Sequence, residues 1–273
     1  MSRETRIDSC PFCDNEELRE YCIDWQDNHY GKCMSCDFVF QTVYEGFDYS
    51  EHYWINAVDP DGTRRDITKE KDFKIKNWYG GVLNFINSLP CGRVLDIGCG
   101  LGYLLAAVDN GWEKVGYEVN DKSFGFIKKN SQDLHLLSGN VEVLLNKYKK
   151  NPFNVVVCYH VLEHLDDPVS FFRKMTSLVA ENGILIVGMP NIRSFCAWWF
   201  KGNYRLLGNG HLCMFSPKHL KQLFIQNQLK IIRTEYPFFK TAYFTMNNLI
   251  RLINYSKISP PFYGNLMTFY AEK

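Results

Sequence analysis

No stretch of the 273-residue chain approaches twenty uninterrupted apolar residues, which argues against a transmembrane helix of ordinary length. The opening MSRETRIDSC lacks the apolar core of a secretory signal, so a cytoplasmic protein is expected. Net charge is scarce as well. Thirty-one Lys and Arg face 30 Asp and Glu, which leaves +1 and no strongly basic grip, so nucleic acid is not the expected partner. There is no internal repeat or low-complexity tract, and 46% hydrophobic against 22% charged residues is too apolar for extended disorder. A chain of this length can bury one large domain plus a small module.

Cysteine, by contrast, is plentiful. Ten cysteines do not imply a disulfide framework, because a chain this long needs no staples and no targeting segment points to an oxidising compartment. Their spacing is more telling. Cys10-Pro-Phe-Cys13 and Cys33-Met-Ser-Cys36 are two knuckles separated by enough chain for a hairpin, and four thiolates suit tetrahedral zinc. The metal would supply folding energy that so small a core cannot. Structural Zn2+ on Cys10, Cys13, Cys33 and Cys36 is therefore expected, in a zinc-ribbon module over 1–45 closed by the strand Phe38-Val39-Phe40. A redox role would need only one knuckle. Cys22 reads as a packing residue.

Residues 46–79 read as a linker or cover. Tyr44, Phe47, Tyr49, Tyr53 and Trp54 make an aromatic connection, and residues 59–76 carry eleven charged side chains of alternating sign, which suits a solvated loop or mobile cover. An amphipathic helix follows Gly81 and is stopped by Pro90. From Arg93 short apolar runs alternate with helical spacing, the texture of an α/β fold whose parallel strands are covered on both faces. Strands are expected at 93–97, 114–118, 134–137, 153–158, 183–189 and 229–235, with helices near 102–110, 122–130, 140–148, 168–180 and 217–227. Ser216 and Pro217 suit the cap and first position of the last of these.

The run Val94-Leu95-Asp96-Ile97-Gly98-Cys99-Gly100-Leu101-Gly102 passes from a strand into glycines that let backbone approach a ligand. The two-residue spacing of Gly98, Gly100 and Gly102 departs from the nicotinamide-dinucleotide fingerprint. Asp96 brings negative charge where a pyrophosphate would want donors, and Glu118, at the end of the next strand, can accept from both ribose hydroxyls of an adenosine. Together they describe a nucleoside cofactor without pyrophosphate and with positive charge near its reactive end.

These residues resemble the class I S-adenosylmethionine-dependent methyltransferases, through VLDIGCGLG and Glu118, over roughly residues 80–235. The resemblance implies a Rossmann-like, mostly parallel central sheet flanked by helices in a domain spanning 80–273, with S-adenosyl-L-methionine as cofactor. It places Gly98, Cys99, Gly100 and Gly102 along the amino-acid and sulfonium portion, Asp96 at the loop and Glu118 on the ribose. Asn140 or the Val141 amide, in preference to Glu142, would contact adenine. His160-Val-Leu-Glu163-His164 is similar to a segment of a large methyltransferase subgroup, and the cysteine ribbon followed by an aromatic YW segment resembles a subgroup acting on sugars or related metabolites. His211-Leu-Cys-Met-Phe-Ser216 resembles the family's HLxxFS segment, whose histidine faces the active site.

Methyl transfer from a sulfonium is an in-line displacement, and a base can take the proton of an acceptor hydroxyl. His160, His164 and His211 are the candidate catalytic residues, and His160 and His164 would share a face if their segment were helical. The order His-Val-Leu-Glu-His differs from zinc-peptidase helices, which begin His-Glu, so a metallohydrolase is set aside. The insertion at 190–216 should shape the acceptor pocket, with Trp198, Trp199 and Phe200 as its wall or lid; ordinary core and membrane contact are the other readings. The C-terminal 35 residues can add an edge strand, cover the acceptor or form a subunit contact. The expected function is methyl transfer to a hydroxyl of a small polar molecule such as a sugar or nucleotide-linked sugar. RNA or protein methylation, and a non-catalytic zinc-containing interaction protein, are the alternatives. Nothing in the composition supports a homo-oligomer.

Overall fold

The computed structural model describes residues 5–44, 54–60, 62–130, 133–208 and 210–273. Phe47, Tyr49 and Tyr53 of the aromatic connection, and Asp61 of the charged run, lie outside the described residues. The N-terminal module begins with β1 (Thr5–Arg6), followed by the antiparallel meander β2 (Leu18–Ile23), β3 (His29–Cys33) and β4 (Val39–Gln41). β5 (Val43–Tyr44) returns to pair with β1. Phe38 and Phe40 fill the small interior, with Phe12 stacked 5.1 Å from Phe38.

The charged run does not behave as a solvated loop. β6 (Ala57–Val58) and β7 (Arg64–Arg65) form a hairpin, a 3-10 turn follows at Ile67–Lys69, and α1 spans Lys71–Asn77. The alternating signs find one another within the segment: Arg65 donates to Asp59 at 2.9 Å and to Glu70 at 2.7 Å. Tyr103 ties the turn down by donating to the Ile67 and Thr68 carbonyls, both at 2.9 Å. Lys74 is buried with its ammonium 4.3 Å from the Trp78 ring centroid, and burial pushes its pKa down to about 8.

α2 (Gly80–Ile86) leads into the alternating part of the chain: β8 (Arg93–Ile97), α3 (Tyr103–Ala107), β9 (Glu113–Tyr117), α4 (Phe124–Asn130), β10 (Leu134–Leu137), α5 (Val141–Tyr148), β11 (Phe153–Tyr159), α6 (Pro168–Thr176) and β12 (Val179–Pro190). After it come α7 (Phe195–Phe200), β13 (Cys213–Met214), α8 (Pro217–Gln226), β14 (Lys230–Glu235), α9 (Met246–Arg251) and β15 (Leu266–Glu272). Seven strands form one sheet in the order β10-β9-β8-β11-β12-β15-β14. The first five are parallel, and β15 runs antiparallel to both its neighbours. This is a Rossmann-like α/β fold.

Continuous apolar runs are what such a sheet requires, because successive side chains alternate between two covered faces. Leu95, Val115, Val156 and Leu185 pack with Phe172 and Phe224 on one face. Val94, Val155, Val157 and Ile186 pack with Leu83, Ile86 and Leu104 on the other. Two helix expectations run too long. Residues 108–110 leave α3 because Val108 turns extended, and α6 stops at Thr176 because Val179 already pairs with Phe153 in the sheet. The C-terminal segment does not supply an edge strand. β15 is inserted between β12 and β14, and the 229–235 strand becomes the edge.

The ribbon and the 190–216 insertion share a sheet. β13 pairs antiparallel with β4, Cys213 opposite Phe40, which makes the end of the insertion the fourth strand of the meander. The Ser216 hydroxyl caps α8 with Pro217 in its first turn, as expected from the sequence. His219 of that helix donates from Nε2 to the Cys36 carbonyl at 3.0 Å. Among the described residues no helix is long and apolar enough to cross a membrane.

Candidate active site

β8 ends in a turn that only glycine adopts without strain. Gly98, Gly100 and Gly102 have φ of 76°, 52° and 71°, in the left-handed region. A methyl group added to Gly98 would sit 2.3 Å from Val161 Cγ2, so the loop passes directly against the residue that follows His160. Gly98 and Cys99 both donate from their amides to the Tyr117 carbonyl, at 2.8 and 3.1 Å, which fixes the loop against the end of β9. Trp54 lies over Gly100, with its ring edge 3.0 Å from where a Cβ would stand.

Glu118 follows β9 and its Oε2 accepts from the Gly100 amide at 3.0 Å. Burial raises its pKa, against the lowering effect of that amide and of the Asn120 and Val119 amides. Asp96 is more deeply placed. Burial and then the Glu118 charge hold its carboxyl well above the ordinary range. Two buried carboxylates beside one glycine turn form a pocket wall that a positively charged ligand would relieve. Backbone that approaches closely, a carboxylate for a ribose diol and negative potential are the features an S-adenosylmethionine site needs, and the residues present fit it. Cys99 is buried, and desolvation with the Asp96 charge keeps it a thiol.

Asn140 and Val141 open α5 two strands away from the glycine loop. Asn140 Oδ1 accepts from the Glu142 amide at 3.0 Å and caps the helix, while Tyr117 donates to the Gly139 carbonyl at 2.6 Å. Two strands thus converge on this turn at the same sheet edge.

A second polar cluster lies where β11 leaves the sheet. His160 is held at φ 56°, a costly conformation for a non-glycine residue, with its amide donating to the Gly188 carbonyl at 2.9 Å. Its Nδ1 donates to Glu163 Oε1 at 2.9 Å, and its buried Nε2 has no partner. The segment is not an α-helix. Leu162–His164 is a 3-10 turn, so His160 and His164 do not share a helical face, and the imidazole that meets His164 is His211, with ring centroids 4.8 Å apart. His164 donates from Nδ1 to the Gly210 carbonyl at 3.0 Å and His211 to the Leu206 carbonyl at 2.8 Å. Carbonyls accept only, so each ring carries its proton on Nδ1 and keeps Nε2 as a base.

Burial would raise the Glu163 pKa, but the His160 hydrogen bond and the surrounding imidazoles draw it down to about 2. His211 moves down to about 4, first through burial and then through His164. An unfolded imidazole titrates near 6.5, so the unfolded chain binds this proton more readily than the folded one. The stability is fully present above about pH 6.5 and is lost as pH falls toward 4, by about 3 kcal/mol. His211→Asn, which keeps a donor for the Leu206 carbonyl, should flatten the fall of the urea midpoint between those pH values. An unchanged slope would show that another group governs it.

In the ribbon the four cysteine sulfurs converge. Cys10 and Cys36 lie 3.6 Å apart, Cys13 and Cys33 3.6 Å, and Cys13 and Cys36 3.3 Å, with all four within 4.8 Å of one another. A zinc ion with sulfur ligands at about 2.3 Å would space them at about 3.8 Å. The cluster can chelate a metal.

The structure thus brings the glycine turn, Glu118, Asp96 and the His160 segment together, and His164 with His211. Three further contributors were not singled out as site residues in the sequence, although Trp54 fell within the segment read as a linker or cover. Trp54 covers the loop; Trp78 sets its ring 5.3 Å from that of His160 and donates from Nε1 to Tyr243 at 2.8 Å. Glu163, three residues after His160, was legible only as a spacing. The expected pocket wall of Trp198 and Trp199 is corrected: both indoles face outward and only Phe200 of the three is buried. Ser194 caps α7 with its hydroxyl, and in this short helix Cys196, Ala197 and Phe200 take the inward positions.

The methyltransferase domain family matches residues 83–234. A ubiquinone biosynthesis O-methyltransferase from Haemophilus ducreyi is 28% identical over 161 residues, covering 56% of this chain and 65% of the relative. One from Histophilus somni is 27% identical over 120 residues, covering 41% of this chain and 50% of the relative. The chain therefore spans between half and two thirds of the length of these curated relatives. Among solved structures, a SAM-dependent methyltransferase from Archaeoglobus fulgidus superimposes with a TM-score of 0.54 at 19% identity, covering 75% of this chain and 97% of that one. The magnesium protoporphyrin IX methyltransferase from Synechocystis gives 0.53 at 15% identity, covering 75% and 86%. The match covers more than half of the chain and includes the glycine turn and both carboxylates, and the chain belongs to the methyltransferase domain family, with a class I S-adenosylmethionine-dependent methyltransferase domain.

Proposed function

We propose that the protein transfers a methyl group from S-adenosylmethionine to a hydroxyl oxygen of a small polar acceptor, a sugar or nucleotide-linked sugar. The observation that carries this reading is the His160–Glu163 pair at the C-terminal edge of the sheet, where open α/β sheets bind ligands. Glu163 fixes the His160 proton on Nδ1 and leaves the unpartnered Nε2 to take the acceptor's proton. His211, with His164 beside it, is the other basic nitrogen in reach of the same edge. When bound, S-adenosylmethionine supplies an electrophilic methyl on a sulfonium. The chain's part is to hold the ribose through Glu118, the amino-acid end through the amides of Gly98, Cys99, Gly100 and Gly102, and the positive charge through Asp96, with Asn140 or the Val141 amide on adenine. The relatives are O-methyltransferases of ubiquinone biosynthesis, which supports an oxygen acceptor. The cysteine cluster reads as a structural Zn2+ site that holds the ribbon against the insertion.

His160→Gln should lower kcat by about a hundredfold or more while leaving the donor Kd unchanged. Glu163→Gln, a positioning change, should lower kcat by about tenfold and move the acid limb of the pH profile. The acceptor class is tested by a donor-consumption screen of sugar nucleotides, small phenols and RNA. Near-normal turnover in both His160→Gln and His211→Gln would remove the base from the reading, and consumption with RNA alone would replace the acceptor.

A further inference from the structure

The outward-facing Trp198 and Trp199 belong to a larger surface. Trp198 is 66% exposed and contacts Trp199 at 5.6 Å between ring centroids, and Trp199 contacts the exposed Tyr255 at 6.2 Å. Phe195, Phe262 and the buried Phe238, each 5.2–6.0 Å from the next, link these rings from within to Phe239 and Phe244, both exposed. α9 and the turn that follows it add three exposed apolar side chains. Met246 and Ile250, one turn apart on the helix, and Ile253 just beyond it are 70%, 59% and 79% exposed. Apolar side chains this exposed and this close together mark an interaction surface.

This part of the sequence is rich in cations. Between residues 182 and 271 there are ten Lys and Arg and a single acid, Glu235, while the rest of the chain holds 21 against 29. Glu235 is engaged by Arg233 and by the Tyr270 hydroxyl. The near-zero net charge therefore hides a basic C-terminal third of the sequence. The cations are interleaved with the apolar groups: Lys201 follows α7, Lys240 follows Phe239, Arg251 sits beside Ile250, and Lys257 lies two residues after Tyr255. Aromatic and aliphatic side chains ringed by Lys and Arg are the composition of a surface that lies in the headgroup region of an anionic bilayer.

We propose that the surface built by α7, α9 and the connecting aromatic residues docks the protein on an anionic lipid bilayer. A second copy of the chain fits it poorly, since a two-fold contact would set cations against cations. Single-stranded RNA would use the rings but leave Met246, Ile250 and Ile253 without a role. The surface begins immediately beyond Pro190, where β12 ends, and closes immediately before Leu266, where β15 begins, so it stands at the sheet edge that carries His160. Docking would place the acceptor site against the membrane surface.

The test is sedimentation of the full chain, with its cysteine cluster zinc-loaded, with vesicles of phosphatidylcholine alone or with roughly one third phosphatidylglycerol. The fraction bound to the anionic vesicles should exceed that on neutral ones by about tenfold at low salt, and fall with salt. Indole fluorescence should shift to the blue on binding. Trp198→Ala/Trp199→Ala and Ile250→Ser/Ile253→Ser should each lower binding by about tenfold with unchanged thermal unfolding, as should Lys201→Glu/Lys257→Glu. Equal weak binding to both vesicles overturns the proposal. So does a dimer in solution that Trp198→Ala/Trp199→Ala dissociates in the absence of vesicle binding, or tighter binding to a single-stranded RNA than to the anionic vesicles. None of these readouts depends on methyl transfer, so their failure is separable from failure of the proposed function.

Discussion

Glu118→Ala is expected to bind S-adenosylmethionine about a hundredfold more weakly than the parent chain. A carboxylate that accepts from both hydroxyls of a ribose makes two charge-assisted hydrogen bonds, each contributing about 1.5–3 kcal/mol. Its removal also frees the Gly100 amide, which Oε2 now accepts from at 3.0 Å, and so loosens the turn that lies under the ligand. A misfolded variant would give the same loss of binding, but stability separates the two. Asp96 is held above its ordinary range partly by the Glu118 charge, so the ligand-free variant should unfold no earlier than the parent. Glu118→Gln keeps a polar group in place and should lose about tenfold. Calorimetry with S-adenosylmethionine, alongside a melt without ligand, measures both. Unchanged affinity in Glu118→Ala would mean that the ribose is held elsewhere.

Cys33→Ser should have the second large effect, and at a distance. Structural zinc on four thiolates contributes about 10–16 kcal/mol of apparent binding energy in small modules, more than a meander with so few apolar residues can replace. With zinc on these thiolates as proposed, the variant should lose its metal and the ribbon's near-ultraviolet signal. Turnover should fall by about tenfold or more while the donor Kd moves by less than about threefold, because the ribbon holds the His211 segment and not the glycine turn. Tyr30 donates to the His211 carbonyl at 2.9 Å and accepts from the Gly208 amide at 2.9 Å, and the Gln41 amide donates to the Leu212 carbonyl at 2.9 Å. Metal analysis with steady-state kinetics decides the matter. Full turnover in metal-free protein would show that the ribbon does not position the site.

The central sheet was legible because its inner strands are buried on both faces and run apolar, while the edge strand β10 keeps an apolar run of its own. RVLDI at 93–97 and LHLL at 134–137 coincide with β8 and β10. The start of α8 was legible for a local reason, the Ser216 side chain and the fixed φ of Pro217. The cysteine spacing and the glycine turn likewise depend on short-range chemistry. What escaped was long-range. The salt-paired segment around Arg65 looks like a solvated run because pairing with Asp59 and Glu70 leaves no periodic trace. The meeting of His164 with His211 depends on a connection of more than forty residues, and neither sequence context discloses it. Trp198 and Trp199 were read inward because indoles are usually buried, and only the packing of α7 shows which side they take.

The pairing of β13 with β4 also sets an order on synthesis. A nascent chain emerges from its N-terminus, so the first three strands of the ribbon leave the ribosome long before the segment that completes their sheet. Through that interval β4 presents an open edge, with Val39 and Phe40 awaiting Cys213 and Met214. Zinc bound early to the four converging thiolates, as proposed, would keep that edge in register until the last strand arrives.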